Sequence, residues 1–529
     1  MNMEWLDAPA PLQHANPDIP ISRLMHLIWL ARPDLRSAFD LDTATGQREF
    51  ADWFRVSAFR EYGIDTVSRD GDGPSTEGAR SFAGPLPRVG LGLHSSLIRL
   101  EASARSISRR LPFTLRSAGF RLWKRTLHNS LRIESRFSTR WSGDPTQISV
   151  QGSEALEGTV RGEPGVSLIG YARAELGMGE HVRMSAAALE GRSINWGVIN
   201  YGECIPGRQK AETDETRFIS DNRYKCNLFH INADQMLLAL LALGRGFFDK
   251  RYNVGYWAWE LAHCPEEWDA PMALVDELWA PSRFIQGAFA ERARVPVVHM
   301  PLCVSLPSFA VRRRTSLGLQ ANAFLFLFTF DFFSYVERKN PYGAIRAFKN
   351  AFPGRHEQVG LVIKAMNADE SSEGWQRLLD LIDGDPRIVV INRTMDRLEV
   401  LQLFDACDCF VSLHRSEGFG RGPAEAMYLG KPVIVTNYSG NTDFTLSENS
   451  CLVDYRLIPV GKDHYVFSAG QQWADPDEDH ASWHMKTLAN DPRQAQEIGT
   501  KARAFIRSNF SPARIGTLYE ERLRKLGLV

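Results

Sequence analysis

Two series of short, uninterrupted apolar runs constrain this 529-residue chain most strongly. Helical patterns separate the runs in both series, the first within residues 165–300 and the second within 324–453. A continuous apolar run indicates a strand buried on both faces, which is typical of parallel sheets covered by helices. A single core stops growing at about 250–300 residues. The sequence therefore predicts α/β architecture with two Rossmann-like domains.

The predicted strands follow directly from these runs. In the first series they cover residues 166–171, 195–199, 227–231, 253–257, 277–280 and 297–300. In the second series they cover residues 324–328, 360–363, 388–391, 409–413, 433–436 and 451–453. Two helix starts support the alternation: Asn340 precedes a proline at the first helical position, and Asp396 with Glu399 has the spacing of a capping box.

Changes in composition divide the chain into five regions. We predict a small helical unit over residues 1–66, a linker with a basic amphipathic segment over 67–160, a first Rossmann-like domain over 161–305, a second over 306–510, and a C-terminal helix over 511–529. The helical unit is too short to be a catalytic body. Its role, as a docking module or as a clamp on the next domain, stays open.

The segment 88–140 is strongly basic, with eleven Arg and one Lys against two acids. Leucines, Phe113, Phe120 and Trp123 are interleaved with the arginines. This amphipathic pattern is typical of binding to anionic lipid headgroups, and also of a helix packed on the next domain with its arginines in water. Both interpretations stay open. No nucleic-acid module accompanies the charge, so no nucleic-acid partner is predicted.

The rest of the composition is typical of a soluble globular protein in a reducing compartment. Apolar residues make up 44% and charged residues 24% of the chain. The seven cysteines are scattered, which favours buried free thiols. No apolar run approaches the roughly 20 residues of a membrane span, and the N-terminus lacks a signal-peptide pattern. We expect a cytoplasmic protein, peripheral on the inner face of the plasma membrane if the basic segment binds lipid.

The strongest functional signal lies in Ser416–Met427. Glu417 and Glu425 flank a glycine-rich turn between an apolar strand and a helix. A strand, a tight loop and a helix N-terminus form a binding site for an anion, because free backbone N–H groups and the helix dipole converge there. Carboxylates beside such a site accept hydrogen bonds from hydroxyls. Phosphate and hydroxyls together describe a nucleotide sugar.

The same segment, continued through Lys431-Pro432-Val433, resembles the Glu-x7-Glu signature of retaining GT-B glycosyltransferases, specifically family 4 of the glycosyl transferases group 1. The resemblance covers residues of about 165–525 and is most specific around 409–436. It implies the GT-B architecture, in which two Rossmann-like domains face each other across a cleft and the C-terminal helix returns to the first domain. The first 160 residues gain nothing from it.

Transfer of a sugar requires that the growing charge of the leaving diphosphate is stabilised. No Asp-x-Asp follows a strand of the second series, so we expect no metal and no other cofactor. The resemblance implies that Lys339 and Lys364, at the carboxyl ends of two strands, contact the diphosphate. Arg338 competes with Lys339 for this role. The family often has a further Arg about six positions earlier, where Phe333 stands in this chain.

The resemblance also implies the residues that bind the donor. Glu417 would contact the hydroxyls of the sugar, and Glu425 those of the ribose. The other donor-binding positions lie in loops after strands and are Gly418, Phe419, Gly420, Arg393, Thr394, Gly177 and Gly179. The first three would supply backbone amides, the next two would border the base, and the glycines of the first domain would let the backbone approach the diphosphate.

The candidate acceptor-side positions lie near strand ends of the first domain and are His230, Asn232, Asp234, Trp257 and Glu260. His230 matches a position where related enzymes place a polar residue, and we include it among the catalytic candidates. It can equally be a satisfied core histidine. The aromatic residues around Trp257 suit stacking on a sugar, and core packing explains them as well. These alternatives stay open.

Together these features predict a metal-independent, retaining hexosyltransferase. It would move a hexose, mannose being one candidate, from a nucleotide sugar to a glycan or lipid-linked acceptor in cell-surface polysaccharide or O-antigen synthesis. Retention follows from the resemblance, with front-face attack by the acceptor hydroxyl while the leaving phosphate accepts its proton. Two alternatives remain: a catalytically silent GT-B protein that binds glycans or acts as a scaffold, and a GT-B nucleotide-sugar epimerase.

Overall fold

The computed structural model describes residues 8–62, 160–201 and 215–529, apart from 11, 13, 32–34, 36–37, 175–176, 355 and 463. The predicted linker up to residue 159, the basic segment 88–140 within it, and Cys204 lie outside the described residues.

The described helices are α1 (Arg23–Ala31), α2 (Ala44–Tyr62), α3 (Gly177–Leu189), α4 (Ala233–Leu243), α5 (Arg245–Phe248), α6 (Asp269–Met272), α7 (Arg283–Ala290), α8 (Val336–Lys339), α9 (Pro341–Ala351), α10 (Glu373–Ile382), α11 (Arg397–Ala406), α12 (Arg421–Leu429), α13 (Glu478–Asn490), α14 (Pro492–Asn509) and α15 (Pro512–Lys525). Short 3-10 turns cover Glu215–Arg217, Glu266–Trp268, Arg314–Leu317, Phe332–Ser334 and Gly440–Asp443.

The described strands are β1 (Glu163–Gly170), β2 (Trp196–Asn200), β3 (Tyr224–His230), β4 (Tyr252–Tyr256), β5 (Glu277–Ala280), β6 (Val297–His299), β7 (Phe324–Asp331), β8 (Val359–Met366), β9 (Ile388–Asn392), β10 (Cys409–Ser412), β11 (Val433–Thr436), β12 (Cys451–Val453), β13 (Tyr455–Pro459) and β14 (Gln472–Pro476).

Two parallel six-stranded sheets carry the fold. Their strand orders are β2-β1-β3-β4-β5-β6 and β12-β11-β10-β7-β8-β9. Chain order reverses between β1 and β3 in the first sheet, and between β7 and β10 in the second. Open α/β sheets bind ligands beyond the carboxyl ends of their strands at such reversals. The predicted α/β fold with two Rossmann-like domains is therefore confirmed, and each sheet has one expected ligand position.

The glycine loop of the first domain differs from the prediction. Gly177 and Gly179 were expected to lie in a loop after a strand, but α3 already begins at Gly177. A Cβ atom on Gly179 would collide with the carbonyl oxygen of Ala174 and lie 2.9 Å from that of Tyr171. Only glycine allows this close approach of two backbone segments. Glycine has a low helix propensity, so the sequence pattern does not reveal that it is required inside a helix here.

A third, two-stranded sheet was not predicted. Strands β13 and β14 form an antiparallel hairpin that pairs Tyr455 with Pro476 and Pro459 with Gln472. Most of β13 is exposed, and its sequence mixes charged and apolar residues without a continuous run. The apolar-run signal that located the other strands is therefore absent from this segment. We call residues 455–476 the hairpin.

The N-terminal helices pack on the first domain. Leu24 and Ile28 of α1 and Phe50 and Phe54 of α2 are buried. They belong to the same hydrophobic cluster as residues of the first domain, and α2 lies against α4. Among the described residues no helix is long and apolar enough to cross a bilayer. The six described cysteines are buried free thiols, as predicted.

Helix α15 lies against α3 of the first domain. The hydroxyls of Tyr519 and Ser185 are 2.9 Å apart, and both side chains are buried. A Cβ atom on Gly516 would collide with the carbonyl oxygen of Ala188. The two helix backbones therefore approach each other closely at this glycine.

We predict that Gly516→Ala lowers the free energy of unfolding by about 1–3 kcal/mol, because the added methyl group forces α15 away from α3. Gly287→Ala in α7 is the matched control. A methyl group there meets nothing within 4 Å, so the substitution should stabilise the protein by up to about 1 kcal/mol. Urea unfolding measures both changes. Equal stabilities for the two variants would contradict the proposed close approach.

Candidate functional site

Glu417 and Lys339 lie side by side at the reversal of the second sheet. Glu417 follows β10 and Lys339 ends α8, shortly after β7, and these two strands are paired neighbours. The Lys339 ammonium donates a hydrogen bond to Glu417 Oε1. Arg338 Nη1 lies 3.4 Å from Glu417 Oε2. Two cations therefore meet one carboxylate whose side chain is only 12% exposed.

These cations keep Glu417 ionised. Burial alone would raise the pKa of Glu417, but the charges of Lys339 and Arg338 outweigh burial and lower the pKa to about 2. An ionised carboxylate accepts hydrogen bonds and donates none. Its backbone N–H also donates to Ser439 Oγ at 2.8 Å, which fixes the loop. At neutral pH Glu417 is thus a fixed, negatively charged acceptor of hydrogen bonds.

Arg338 is more deeply held than Lys339. Its Nη1 donates to the Ser416 carbonyl at 3.0 Å and its Nε to the Ser334 carbonyl at 3.2 Å. Its side chain is 5% exposed, whereas that of Lys339 is 20% exposed. Burial works against the charged form of Arg338, but Glu260 and Glu417 together raise its pKa. Lys339 is therefore the more accessible of the two cations.

Lys364 lies on β8, the neighbour of β7. It does not end the strand as expected, because β8 continues to Met366. Its ammonium donates to the Ala365 carbonyl at 2.7 Å, and burial lowers its pKa to about 8. The carboxylate of Asp331, at the end of β7, interacts electrostatically with both Lys364 and Lys339. The two lysines thus lie at the same edge of the sheet, but they do not share a hydrogen-bonded carboxylate oxygen.

Glu425 is the second buried carboxylate of the motif. Arg397 Nη1 donates to its Oε2 at 2.8 Å, and Arg421 Nη2 donates to its Oε1 at 2.9 Å. Burial would raise the pKa of Glu425, but the two arginines outweigh it and lower the pKa. Helix α12 begins after Gly420, whose φ of 95° favours glycine, and no side chain caps its first N–H groups. Two arginines therefore compensate the charge of Glu425, which lies in the second turn of a helix without a side-chain cap.

The two domains touch at this site. Arg421 Nη2 lies 3.7 Å from Glu180 Oε2, at the start of α3 in the first domain. The hydroxyl of Ser282 donates to the Gly418 carbonyl at 2.6 Å. A Cβ atom on Gly418 would lie 2.8 Å from the Trp259 carbonyl oxygen. The loop after Glu417 thus packs directly on the first domain, and its glycine is required by that approach.

His230 forms a buried pair with His181 of α3. Their Nδ1 atoms are 2.9 Å apart, and both rings pack on Tyr256. Burial lowers the pKa of His181 to about 3 and that of His230 well below its usual range. Both imidazoles are therefore neutral with opposite tautomers, one Nδ1 donating to the other. Their Nε2 atoms make no hydrogen bond within the described part of the chain.

The other predicted site residues divide into buried and exposed positions. Trp257 is fully buried and packs edge-on against Trp268, so it presents no face to a sugar in this conformation. Asn232 accepts a hydrogen bond from the Ala258 N–H at 2.9 Å. Phe419 is buried against Phe444. The positions at or near the molecular surface are Arg393, Thr394, Asp234 and Gly177. Of these, Arg393 forms an ion pair with Glu399.

Several residues of the site were missed by the sequence analysis. They are Arg397, Arg421, Glu180, Ser439 and Tyr465. Arg421 stands inside the Ser416–Met427 motif, and Arg397 lies within the predicted capping box between Asp396 and Glu399, so both had a local signal. Glu180 directly follows the glycines of α3. The positions of Ser439 and Tyr465 have no local signal, because their contacts join distant segments: Ser439 accepts from the Glu417 N–H, and the Tyr465 hydroxyl donates to Glu260. No group of three or more metal-ligating side chains occurs among the residues that the structure describes.

Comparison with known proteins agrees with this architecture. Residues 332–453 match the model of the family described as Glycosyl transferases group 1. The structure of Alr3699/HepE from Anabaena in complex with UDP-glucose aligns with a TM-score of 0.50 at 16% identity, covering 68% of this chain and all of that chain. Sucrose-phosphate synthase from Thermosynechococcus elongatus aligns with a TM-score of 0.49 at 16% identity, covering 69% of this chain and 99% of that chain.

A curated relative is the trehalose synthase of Rubrobacter xylanophilus, 24% identical over 185 residues, which are 34% of this chain. The match spans 38% of that relative's length. The fold is thus that of a GT-B protein. Its second domain carries the glycosyl transferases group 1 segment from Phe332 to Val453, so the predicted resemblance is confirmed there. Membership of family 4 stays a prediction.

We predict that the stability contributed by Glu417 depends on pH. Its folded pKa of about 2 lies below the ordinary value of 4.5, so the ionised form stabilises the fold by about 3 kcal/mol at neutral pH. This contribution is complete above pH 4.5 and is lost as the pH falls toward 2. The difference in free energy of unfolding between wild type and Glu417→Gln should therefore shrink over that range.

Urea unfolding in steps from about pH 7 to pH 3 measures this difference. The matched control is Glu448→Gln, which removes a carboxylate exposed to solvent and should give a small difference without a trend. A difference for Glu417→Gln that stays constant with pH would contradict the assigned charge state.

Proposed function

We propose that this protein is a retaining glycosyltransferase that transfers a hexose from a nucleoside diphosphate sugar to a hydroxyl of a glycan or lipid-linked acceptor. The observation that carries the proposal is the buried ion pair of Glu417 with Lys339 beside the uncapped start of α12. It combines an acceptor for sugar hydroxyls with donors for a phosphate. The GT-B fold and the matched family segment support the same reaction class.

The leaving diphosphate would be held by fixed positive charge. Lys339 is the accessible cation beside Glu417, and Lys364 supplies a second at the neighbouring strand. We assign Arg338 a supporting role, since carbonyl oxygens and two carboxylates already engage it. Fixed donors aimed at developing charge need no reorganisation during the reaction. The proposal that transfer needs no metal ion rests on these three cations.

Glu425 would bind the ribose hydroxyls of the donor. In the structure its oxygens accept from Arg397 and Arg421. These arginines lie next to the place proposed for the diphosphate, so donor binding would exchange part of the ion pairing for contacts with ribose and phosphate. Buried charges must keep partners throughout such an exchange. Retention would follow from front-face attack, with the leaving phosphate accepting the acceptor's proton.

The nature of the donor is supported by the relatives and is itself a proposal. Alr3699/HepE was solved with UDP-glucose, so a UDP-hexose is the first donor to test. GDP-mannose and ADP-glucose complete the comparison, since nothing on the described surface selects one base. A cell-surface polysaccharide or O-antigen acceptor remains part of the proposal.

We predict that Glu417→Gln reduces transfer about 10²–10³-fold, because it removes a charged acceptor aimed at the reacting sugar. Glu448→Gln should leave the activity unchanged, since it lies on the exposed surface. Thermal shift with the three donors identifies the substrate, and release of nucleoside diphosphate with a defined acceptor measures the rate. The anomeric proton of the product, followed by NMR, tests retention. Undiminished transfer by Glu417→Gln would exclude the proposed site.

We also predict that donor binding weakens as the pH rises through about 8, because Lys364 then loses its charge. Below that pH the ammonium is present and binds phosphate. Lys364→Arg keeps the charge at all accessible pH values, so its donor affinity should stay flat up to about pH 9.5. Titration calorimetry with the same donor at several pH values measures both profiles. Parallel profiles would contradict a role for Lys364.

A further inference from the structure

Glu260 of the first domain contacts two side chains of the second domain. The Tyr465 hydroxyl donates a hydrogen bond to Glu260 Oε2. Arg338 Nη2 lies 3.7 Å from Glu260 Oε1. Glu260 thus joins the hairpin to the cation that also engages Glu417. Both carboxylate oxygens of Glu260 therefore have protein partners in this structure, and its acceptor-side role stays a prediction.

The hairpin is firmly attached to the first-domain segment that carries Glu260. The ring of Tyr465 packs on Trp259 at 5.7 Å and on Tyr335 at 4.7 Å between centroids. Gln471 donates to the His263 carbonyl at 2.8 Å and accepts from the His263 N–H at 3.2 Å. These contacts hold Trp259 and His263, which lie on either side of Glu260 in the sequence. The Glu260 carboxylate therefore has a defined position while the two domains are in contact.

Four charged side chains alternate in sign across the domain contact: Glu260, Arg338, Glu417 and Lys339. Arg338 is shared, lying 3.7 Å from a Glu260 oxygen and 3.4 Å from a Glu417 oxygen. The Glu260 carboxylate attracts the Arg338 guanidinium toward the first domain, in competition with the attraction by Glu417. The contact with Glu260 therefore limits how strongly Arg338 can occupy Glu417 Oε2.

We propose that Glu260 and Tyr465 are positioning residues that keep one oxygen of Glu417 available for the donor sugar. They do this by drawing Arg338 toward the first domain when the two domains are in contact. If the domains separate, Arg338 loses Glu260 and turns fully to Glu417. Domain contact would thus switch on the sugar-binding carboxylate. This inference rests on the proposed function of Glu417.

The test compares binding of a nucleotide sugar with binding of the nucleoside diphosphate alone. Glu260→Gln keeps the shape of the side chain and removes its charge, so Arg338 should pair more closely with Glu417. We expect about a tenfold loss of affinity for UDP-glucose and unchanged affinity for UDP, measured by titration calorimetry. If the wild type binds a guanine or adenine nucleotide instead, the GDP-sugar with GDP, or the ADP-sugar with ADP, replaces UDP-glucose and UDP in this comparison.

Two further variants separate positioning from general damage. Tyr465→Phe removes only the hydroxyl and should give a smaller loss in the same direction. Glu291→Gln is the matched control, an exposed carboxylate of the same domain beside His263, and should leave both affinities unchanged. In the Glu417→Gln background, Glu260→Gln should add no further loss, because it acts through Glu417.

Equal losses for UDP and UDP-glucose would overturn the inference, since they indicate a structural role. Additive losses in the double variant would overturn it as well. If the wild type binds neither ligand class, the proposed function fails first. If Glu417→Gln loses the sugar selectively and Glu260→Gln and Tyr465→Phe do not, only the positioning role is wrong.

Discussion

The buried carboxylate of Glu417 sets the arrangement of the whole site. A charged group removed from water is costly unless opposite charges and hydrogen bonds replace the lost solvent. Lys339 and Arg338 provide those charges, and they can do so only because β7 and β10 are neighbours at the reversal of the second sheet. The strand order of the domain is thus a precondition for an ionised carboxylate that accepts hydrogen bonds at the position of Glu417.

The same requirement extends into the first domain. Arg338 is buried, and its charge is balanced by Glu417 together with Glu260 from across the domain contact. Hydrogen bonds from Ser282 to Gly418, and between Gln471 and His263, hold the domains together around this balance. Charge compensation in the second domain therefore depends on contact with the first. A GT-B architecture makes such a dependence possible, since the site lies between two bodies.

The second carboxylate shows a different balance. Glu425 has two arginine partners, and Glu180 of the first domain lies near one of them. With Arg183, which pairs with Glu180 at 2.9 Å, three arginines stand against two carboxylates near the start of helix α12. The positive charge and the dipole of this helix would both favour an anionic ligand there. The two carboxylates thus stand in environments suited to different parts of one ligand.

Much of the fold could be predicted because its signals are local. Uninterrupted apolar runs located all twelve strands of the two parallel sheets, and the start of α11 at Asp396 carries the predicted capping box. The start of α3 was misplaced, because its glycines suggest a loop. Gly179 is instead required inside the helix, where a Cβ atom would collide with the carbonyl oxygen of Ala174. The hairpin was missed, because neither of its strands carries an uninterrupted apolar run.

For the site, the sequence by itself determined that Glu417 and Lys339 follow strands and that Lys364 lies near the end of one, since each stands beside or within an apolar run. Only the tertiary structure decided their partners. It joined Glu417 to Lys339 and Arg338, buried Trp257 in the core, paired His230 with His181, and brought Tyr465 to Glu260. The physical reason is range: strand and helix signals act over a few residues, whereas charge compensation joins side chains that are far apart in the chain.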